Sequence, residues 1–518
     1  MFGPLPDHPK WMYGGCVTDD GEYLLITVSG IFSFLPHTHT HMHMPRDFLA
    51  WTYKHKNICS ESTAPVNRLF YRKLNRAPSS VSSLFAGETV KLIDNFDASY
   101  EYVANIGSKF WFNTNLHAPK SKIITHDLND PLPADFKFKV VIPESKDVLS
   151  WLTCCNNTTT LVCVYLHDVA EIMILYDMDG KHLRNVDMPV AGAIQSFSGK
   201  SKATHFFFKF TSFTYPGTVF RCDPASGAMQ TWWATSVSGF DASLYTVTQV
   251  FYPSKDGTRI PMFIMHHRDV ERDGSNLCFL YGYGGFSISL TPSYSALRLV
   301  LLQNYRAVVA IPNLRGGAEY GEDWHNAGTL DKKQNVFDDF IAAAEYLVAN
   351  KYTCTSKLAI NGGSNGGLLV GACLNQRPDL YACCVADVGV LDMLRFHKFT
   401  IGHFWCSDYG NAEKSEAEFK YLHAYSPLHN IRTNAAYPSC LITTSDHDDR
   451  VVPLHSHKFT AQLQHTVGSH PLQRRPLLAR IEVKAGHGAG KPTTKILDEK
   501  ADVYAFIAHE CGCKYRNE

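Results

Sequence analysis

A serine enclosed by glycines is the strongest chemical signal in the sequence. Residues 362–367 read Gly-Gly-Ser-Asn-Gly-Gly, which contains a G-x-S-x-G motif with Ser364 at its centre. Apolar residues precede and follow the motif, so we predict a strand, a sharp turn and a helix. A turn of this kind lifts the serine hydroxyl clear of the sheet, where it can attack a carbonyl carbon. A plain glycine-rich turn is the alternative, because the motif alone is common by chance.

A nucleophilic serine needs a base and an orienting carboxylate, because its hydroxyl is a weak nucleophile at neutral pH. In the fold that carries this motif they follow the serine in the order Asp, His. His487 lies between two glycines in a loop after a predicted strand. Three carboxylates, Asp446, Asp448 and Asp449, follow the predicted strand that ends at Thr444. The residues alone do not choose among these three.

The negative charge that develops on an attacked carbonyl oxygen needs hydrogen-bond donors. One donor is normally the backbone N–H after the nucleophile, which here belongs to Asn365. A second donor is expected from the loop at 281–286, which follows an apolar stretch and contains two tyrosine hydroxyls. Together these residues indicate the site of a serine hydrolase.

The elements that must position these residues occupy the second half of the chain. From residue 246 to 518, apolar strands such as 277–281 and 307–311 alternate with helical stretches such as 337–347. This alternation predicts a mostly parallel sheet covered by helices, and with the serine motif an α/β-hydrolase domain. Sites in such sheets lie beyond the carboxyl ends of the strands. At 518 residues the chain exceeds the size of a single core, so a second domain is expected.

Residues 1–245 show a different sequence pattern, in which short runs of β-branched and aromatic residues are separated by turn residues. Four of these runs end at the turn residues Asn75, Asn129, Asp179 and Asp223, which are spaced 54, 50 and 44 residues apart. Repeats of about 40–50 residues are typical of four-stranded propeller blades. We therefore predict a partial β-propeller domain, and an irregular β-sandwich is the alternative.

One segment, at about 31–57, interrupts this sequence pattern. It contains alternating histidines from His37 to His43, and it fits neither a core strand nor an amphipathic helix. We expect an insertion in one blade, or sequence that is foreign to the chain. A transition-metal site is the alternative, although nothing in the segment supplies fixed ligand geometry. We therefore predict no metal site.

The composition argues against several other function classes. Lysine plus arginine and aspartate plus glutamate both number 49, so no net field would attract nucleic acid or an anionic membrane. We find no secretory leader pattern and no apolar run of about 18 residues, and the 15 cysteines are scattered. We expect a cytoplasmic monomer with reduced thiols. Because a phosphate-binding loop and a flavin motif are both missing from the sequence, we expect no cofactor.

Seven motifs make the sequence resemble the prolyl oligopeptidase family of serine peptidases. They include Tyr-Gly-Tyr-Gly-Gly-Phe at 281–286, Asp-His-Asp-Asp-Arg-Val-Val-Pro at 446–453 and Gly-His-Gly-Ala-Gly-Lys-Pro at 486–492. The others lie at 313–317, 319–321, 362–367 and 396–403. The resemblance covers essentially all of 246–518 and continues more weakly upstream. It implies a peptidase that cleaves short peptides on the carboxyl side of proline, with the propeller as a lid over the cleft.

The resemblance also implies roles for individual residues. Ser364 would be the nucleophile, Asp448 the orienting carboxylate and His487 the base. The hydroxyl of Tyr283 would stabilise the oxyanion together with the backbone N–H of Asn365. The cleavage would then pass through an acyl-enzyme.

The resemblance further implies a proline-sized apolar pocket. An indole stacked on the pyrrolidine ring is physically sensible, because proline is rigid and has no N–H to satisfy. The pocket residues would be Trp405, Phe286, Val390, Ile401, Tyr409 and Val451. Arg450 would bind a backbone carbonyl of the substrate. From the residues alone, a core position for Trp405 is favoured, and Arg450 also fits an ion pair with Asp448 or Asp449.

The sequence departs from the family pattern at its N-terminal side. The family has a longer first part and a seven-bladed propeller, whereas about 245 residues precede the predicted hydrolase domain here. We therefore expect a form that lacks the N-terminal part of the family and keeps four to five blades. Whether such a form is active is a separate hypothesis.

Two alternative functions follow from the same residues. A related hydrolase with another specificity, either a peptidase that cleaves after basic residues or an esterase, is the first. A post-basic pocket needs carboxylates, and residues 390–409 contain only Asp392 and Asp408. A non-catalytic interaction scaffold is the second, and the intact Ser364, Asp448 and His487 argue against it.

Overall fold

The computed structural model describes residues 12–29, 66–75, 87–488 and 491–517. The predicted insertion at about 31–57, with its alternating histidines, lies outside the described residues. The chain divides into two compact units. The first contains Met1–Ser212 and Gly217–Ser236, and the second contains Phe213–Pro216 and Val237–Glu518.

The first unit consists, in the part that the structure describes, of four four-stranded sheets whose sequential strands are neighbours. The first sheet contains β1 (Met12–Val17), β2 (Tyr23–Ser29), β3 (Asn67–Lys73) and β4 (Thr89–Ile93). The second contains β5 (Tyr100–Ile106), β6 (Lys109–Thr114), β7 (Lys122–Asp127) and β8 (Lys139–Ile142). The third contains β9 (Val148–Cys155), β10 (Thr160–His167), β11 (Ala170–Asp177) and β12 (His182–Val186). The fourth contains β13 (Ala193–Ser198), β14 (Phe206–Ser212), β15 (Tyr215–Cys222) and β16 (Met229–Ala234).

The four repeated sequence runs occupy equivalent places in these sheets. Each run is the third strand of its sheet, β3, β7, β11 or β15, and each predicted turn residue follows that strand. In the last three of these turns, an aspartate side chain accepts a main-chain N–H: Asp127 Oδ1, for example, accepts the N–H of Asn129 at 3.0 Å. The prediction of a β-propeller domain built from four-stranded blades is confirmed.

The core of this unit lies between neighbouring sheets. Leu25 of β2 and Phe112 of β6 share one buried cluster, which joins the first sheet to the second. Trp111 and Leu161 share another cluster, which joins the second sheet to the third. Alternate side chains of β6 thus face different neighbours, as the two-residue period of a strand requires.

One buried carboxyl links the third and fourth sheets. Glu171 on β11 is 9% exposed, and its Oε2 accepts the N–H of Ile194 on β13 at 2.5 Å. Burial raises the pKa of Glu171 from its ordinary 4.5 to about 7, against the opposing effect of the Ile194 N–H. The folded state therefore holds this proton more tightly than the unfolded chain does. Its contribution to stability is complete below pH 4.5 and is lost as the pH rises through 7.

We therefore expect Glu171→Gln to flatten the pH dependence of stability. Glutamine keeps the acceptor for Ile194 and has no charge to bury, so the variant should gain up to about 3 kcal/mol over wild type between pH 5 and pH 8. Urea denaturation at both pH values measures this difference. Glu88→Gln, at an exposed position, should change neither curve. Equal pH slopes for wild type and Glu171→Gln would contradict the expectation.

The second unit contains one eight-stranded sheet, ordered β17-β18-β20-β19-β21-β22-β23-β24. Its first strands are β17 (Tyr245–Pro253), β18 (Arg259–His267), β19 (Cys278–Tyr281) and β20 (Val308–Pro312). The rest are β21 (Leu358–Gly363), β22 (Cys383–Asp387), β23 (Ser439–Ser445) and β24 (Leu477–Glu482). The pairs β17-β18 and β18-β20 are antiparallel, and the pairs from β20-β19 to β23-β24 are parallel.

Helices connect these strands. They are α1 (Ala296–Asn304), α2 (Glu322–Asn326), α3 (Gln334–Ala349), α4 (Asn365–Gln376), α5 (Cys406–Tyr409), α6 (Glu416–Tyr425), α7 (Leu454–Val467) and α8 (Thr493–Glu510). Short 3-10 turns lie at Ala134–Phe136, Ala242–Leu244, Leu330–Lys332, Thr355–Lys357, Phe396–Lys398, Gly402–Trp405 and Pro427–His429. Within the described ranges, none of the helices is both long enough and apolar enough to cross a membrane.

The sheet is buried beneath these helices. Phe337 and Phe340 of α3 and Leu369 of α4 belong to the same buried cluster as Ile360 of β21. The parallel strands β19 to β23 are buried almost throughout, as a sheet covered on both faces requires, whereas the edge strand β24 is largely exposed. The carboxyl ends of β19, β21, β23 and β24 lie at one edge of the sheet, where the predicted chemical residues follow each strand. The predicted α/β-hydrolase fold is confirmed.

The boundary between the units lies at 236/237, nine residues before the predicted 245/246. The intervening segment packs on the second unit. The ring of Phe240 stacks on Tyr245 at 5.4 Å between centroids, and Gln303 Nε2 donates to the carbonyl of Gly239 at 3.0 Å. The sequence prediction placed the boundary at the change of pattern, which cannot show where a connecting segment packs.

Candidate active site

Ser364 sits on a strained turn between β21 and α4. Its backbone has φ 60° and ψ −115°, a conformation that costs a non-glycine residue of order 1–3 kcal/mol and must be held by its surroundings. A Cβ at Gly362 would lie 2.4 Å from the carbonyl oxygen of Gly366, and one at Gly366 would lie 2.6 Å from that of Gly282. The N–H of Ser364 donates to the carbonyl of Asp387 at 2.8 Å. The glycines of the motif thus make this turn possible, and Ser364 is half-buried on it.

Asp448 is the carboxylate that meets His487. Its Oδ2 lies 2.7 Å from His487 Nδ1, and its Oδ1 accepts the N–H groups of Arg450 at 3.0 Å and Val451 at 2.9 Å. Asp448 is 3% exposed, whereas His487 is half-buried. Three contacts therefore fix the carboxylate, and the carboxylate fixes the ring.

The two neighbouring carboxylates are placed differently. Asp449 is exposed. Asp446 is also exposed, and its Oδ1 lies 2.6 Å from His447 Nδ1. The hydrogen bond from His447 lowers the pKa of Asp446 to about 2. Of the three candidates that the sequence left open, Asp448 is the one in contact with His487.

The side chain of Ser364 acts on the Tyr283 hydroxyl and lowers its pKa, against the larger effect of burial. Burial, reinforced by the charge of Asp408, raises the pKa of this hydroxyl well above its ordinary range. The hydroxyl therefore keeps its proton at neutral pH and can donate it to an oxyanion. Asn365 is buried, and its Nδ2 donates to the carbonyl of Tyr283 at 2.6 Å. The two residues predicted to stabilise the oxyanion are thus joined directly.

The residues predicted to form the pocket lie in or against one apolar cluster, with one exception. Trp405 stacks parallel to Phe396, with 6.2 Å between the centroids and 13° between the planes. Phe396 and Phe286 each lie nearly perpendicular to the ring of Tyr409, with 5.3 Å between ring centroids in both pairs. Trp405 and Phe286 are partly buried against this cluster, while Val390, Tyr409 and Val451 are fully buried in it. Ile401 is the exception, at 36% exposed.

Arg450 lies on the same loop as Asp448. Its side chain is exposed, and its positive charge lowers the pKa of the Tyr283 hydroxyl against the larger effect of burial. The positive charge of Arg450 therefore acts on Tyr283, the residue predicted to stabilise the oxyanion. The contact of this residue with Asp448 is made by its backbone N–H.

The two carboxylates near the aromatic cluster are both buried and engaged. Asp392 is 1% exposed; its Oδ2 pairs with the ammonium of Lys458, and its Oδ1 accepts the N–H of Leu394 at 3.2 Å. Asp408 is also 1% exposed, and its Oδ1 accepts the N–H of Phe286 at 3.1 Å. Neither carboxylate presents an open charge to a basic substrate side chain.

Lys333 was not singled out by the sequence. It is 1% exposed at the start of α3, and its Nζ donates to the carbonyl of Gly284 at 2.8 Å. In the sequence it stands beside Lys332 and reads as part of a polar surface turn, so no local signal marks it. His325, whose Nε2 lies 3.2 Å from Asp408 Oδ1, was missed for the same reason.

Metal binding gains no support from the described ranges. Among the residues in these ranges, no three His, Cys, Asp or Glu side chains are grouped so that they could hold a metal ion. The histidine-rich segment was not part of that search, because it lies outside the described residues.

Comparisons with known proteins match both units of the chain to one family. Residues 292–513 match the model of the prolyl oligopeptidase family. Residues 52–235 match the model of the prolyl oligopeptidase N-terminal β-propeller domain, and this match begins inside the predicted insertion.

Individual relatives are similar over most of the chain. Prolyl oligopeptidase A of Galerina marginata is 41% identical over 515 residues, which cover 99% of this chain and 64% of the relative. A prolyl endopeptidase of Dictyostelium discoideum is 42% identical over 445 residues, which cover 84% of this chain and 58% of the relative.

A solved structure is similar as well. Prolyl oligopeptidase B of Galerina marginata, bound to a 35mer hydrolysis and macrocyclization substrate, is 38% identical with a TM-score of 0.86. The match covers 99% of this chain and 67% of that structure. This chain spans 64% and 58% of the two relatives named above, a little under two thirds of their length. The matches to both family models and to these relatives show that the chain belongs to the prolyl oligopeptidase family.

Proposed function

We propose that this chain is a serine peptidase that hydrolyses short peptides on the carboxyl side of proline. The observation that carries the proposal is the 2.7 Å contact between His487 and Asp448, at the sheet edge where Ser364 is held on its strained turn. Acyl transfer by a serine requires an imidazole oriented by a carboxylate, and the structure provides this pair at the sheet edge that carries Ser364. The names of the relatives, prolyl oligopeptidase and prolyl endopeptidase, support the substrate class.

The proposed reaction has two steps. Ser364 Oγ attacks the carbonyl carbon of the proline residue while His487 Nε2 takes the hydroxyl proton, and the oxyanion accepts hydrogen bonds from the Tyr283 hydroxyl and the Asn365 N–H. The C–N bond then breaks, and His487 returns the proton to the leaving amine. Water attacks the acyl-enzyme in the same way and releases the acid and Ser364. Asp448 stays ionised throughout and stabilises the imidazolium.

The choice of proline rests on the aromatic cluster and on the two engaged carboxylates. A planar indole such as Trp405 offers an apolar face to a ring that has no N–H to satisfy. A pocket for lysine or arginine would need a free carboxylate, but Asp392 is paired with Lys458 and Asp408 holds the backbone of Phe286. This arrangement favours proline over a basic residue at the scissile position.

Trp405→Ala tests this specificity. We expect kcat/KM for a chromogenic peptide with proline at the scissile position to fall about 10- to 100-fold, because the stacking surface is lost. The matched peptide with arginine should be a poor substrate of both wild type and variant. Trp232→Ala removes an indole that is 64% exposed in the first unit and should leave kcat/KM unchanged.

The same pair of peptides separates the alternatives. Faster turnover of the arginine peptide by wild type would refute the proline specificity and favour a post-basic peptidase. Turnover of simple esters alone would favour an esterase. No turnover of any of them by folded protein would leave the interaction scaffold as the remaining function.

A further inference from the structure

The loop that carries Tyr283 is held by a buried ammonium group. Lys333 Nζ donates to the carbonyl of Gly284, the residue directly after Tyr283, at 2.8 Å. Gly284 has φ 63°, and a Cβ there would lie 2.3 Å from Val336 Cγ1 on α3. The loop therefore lies tightly against the start of α3. Lys333 therefore contacts the main chain directly beside Tyr283.

A lysine at this position is costly. Burial lowers the pKa of Lys333 from 10.5 to about 8, although the negative charge of Asp408 opposes the change. Its Nζ also lies 5.3 Å from the centre of the Tyr409 ring, which adds a cation–π contact. An apolar side chain of the same length would fill the space without burying a charge. The carbonyl of Gly284 thus receives a charge-assisted hydrogen bond that an apolar side chain could not supply.

Asp408 holds the other end of the same loop. Its Oδ1 accepts the N–H of Phe286, two residues beyond Gly284, and it is itself held by His325 Nε2 at 3.2 Å. Lys333 is thus bound to a carbonyl and Asp408 to an N–H on either side of Gly285. Two side chains of opposite charge therefore hold the main chain of residues 284–286 at its two ends.

The segment also touches the nucleophile helix. A Cβ at Gly285 would lie 2.7 Å from Asn365 Nδ2, the atom that donates to the carbonyl of Tyr283. Tyr409 then donates its hydroxyl to Asn365 Oδ1 at 2.8 Å. A shift of the segment at Gly285 would therefore disturb the two residues that are to bind the oxyanion.

We propose that Lys333 and Asp408 are positioning residues, Lys333 for the oxyanion donor Tyr283 and Asp408 for the pocket-wall residue Phe286. Lys333 acts through Tyr283 and controls kcat, and Asp408 acts through Phe286 and controls KM. This inference rests on the proposed peptidase function.

A double-mutant cycle tests the Lys333 half of the proposal. Tyr283→Phe should lower kcat about 10²- to 10³-fold, because one oxyanion donor is lost. Lys333→Met, which keeps the length of the side chain, should lower kcat at least 10-fold alone but less than about 3-fold when combined with Tyr283→Phe. Such non-additivity is expected only if the lysine acts through the tyrosine hydroxyl. Equal losses in the two backgrounds would overturn the proposal.

Controls separate positioning from general destabilisation. Lys357 Nζ also donates to a main-chain carbonyl, that of Cys511 at 2.6 Å, so Lys357→Met removes a comparable bond elsewhere and should leave kcat unchanged. If Lys333→Met gives no folded protein, Lys333→Gln replaces it in the same cycle, and additivity again overturns the proposal.

The Asp408 half is tested by a pair of variants. Asp408→Ala should raise KM for the proline peptide at least 10-fold with kcat within about 3-fold of wild type. Asp408→Asn keeps an acceptor for the N–H of Phe286 and should restore most of KM. A loss confined to kcat, or an asparagine variant no better than alanine, would overturn this half. If wild type itself leaves the proline peptide intact, the proposed function fails, which is distinct from failure of the positioning roles.

Discussion

Ser364→Ala is expected to lower kcat/KM for the proline peptide by about 10⁴- to 10⁶-fold. The variant removes the attacking oxygen and leaves the remaining donors and the pocket, so only residual turnover should persist. Steady-state rates measured at substrate concentrations below KM give the ratio directly. A rate within about 10-fold of wild type would show that another group is the nucleophile.

The fold of this variant needs its own control, because Ser364 has a positive φ. Alanine has the same backbone restriction as serine, so the exchange should not add strain. Ser121 has φ 70° in the first unit, and Ser121→Ala makes the same exchange at another strained position. Both variants should melt within a few degrees of wild type, and only Ser364→Ala should lose turnover.

Asp448→Asn should lower kcat by about 10⁴-fold. Asparagine can still accept the N–H groups of Arg450 and Val451 at one atom, but it presents an NH₂ group to His487 Nδ1. The imidazole is then held in the tautomer that cannot take a proton from Ser364, and the charge that stabilises the imidazolium is lost.

The neighbouring carboxylates are matched controls for this prediction. Asp449→Asn and Asp446→Asn make the same chemical exchange on the same loop, at residues that do not contact His487 in the structure described here. Each should change kcat less than about 3-fold. If Asp449→Asn proved as damaging as Asp448→Asn, the assignment of the orienting carboxylate would be wrong.

Local patterns accounted for much of this protein. The turn at Ser364 could be predicted because the glycines that permit it are its own neighbours in the chain, and the repeated blades could be predicted because each repeat is one hairpin-connected sheet. The alternation of strands and helices likewise indicated the catalytic fold. In each case the contacts that decide the structure join residues near one another in sequence.

The sequence alone could not predict contacts between residues that lie far apart in the chain. Asp446, Asp448 and Asp449 share one chemistry and one loop, and only the path of that loop relative to His487 separates them. Asp392 and Asp408 were the two carboxylates that residues 390–409 offered to a basic-residue pocket, and only the fold shows Lys458 against one and the backbone of Phe286 against the other. The boundary at 236/237 also depends on packing and not on pattern.

The amino-acid sequence by itself thus predicted a type of chemistry and the residue types that would carry it, and it determined the architecture of both units. The tertiary structure decided which carboxylate meets His487 and which charges are neutralised. It also revealed Lys333, which reaches Gly284 across 49 residues of chain. The physical reason is that a buried charge is recognisable only by its surroundings, and those surroundings are assembled from loops that the sequence keeps far apart.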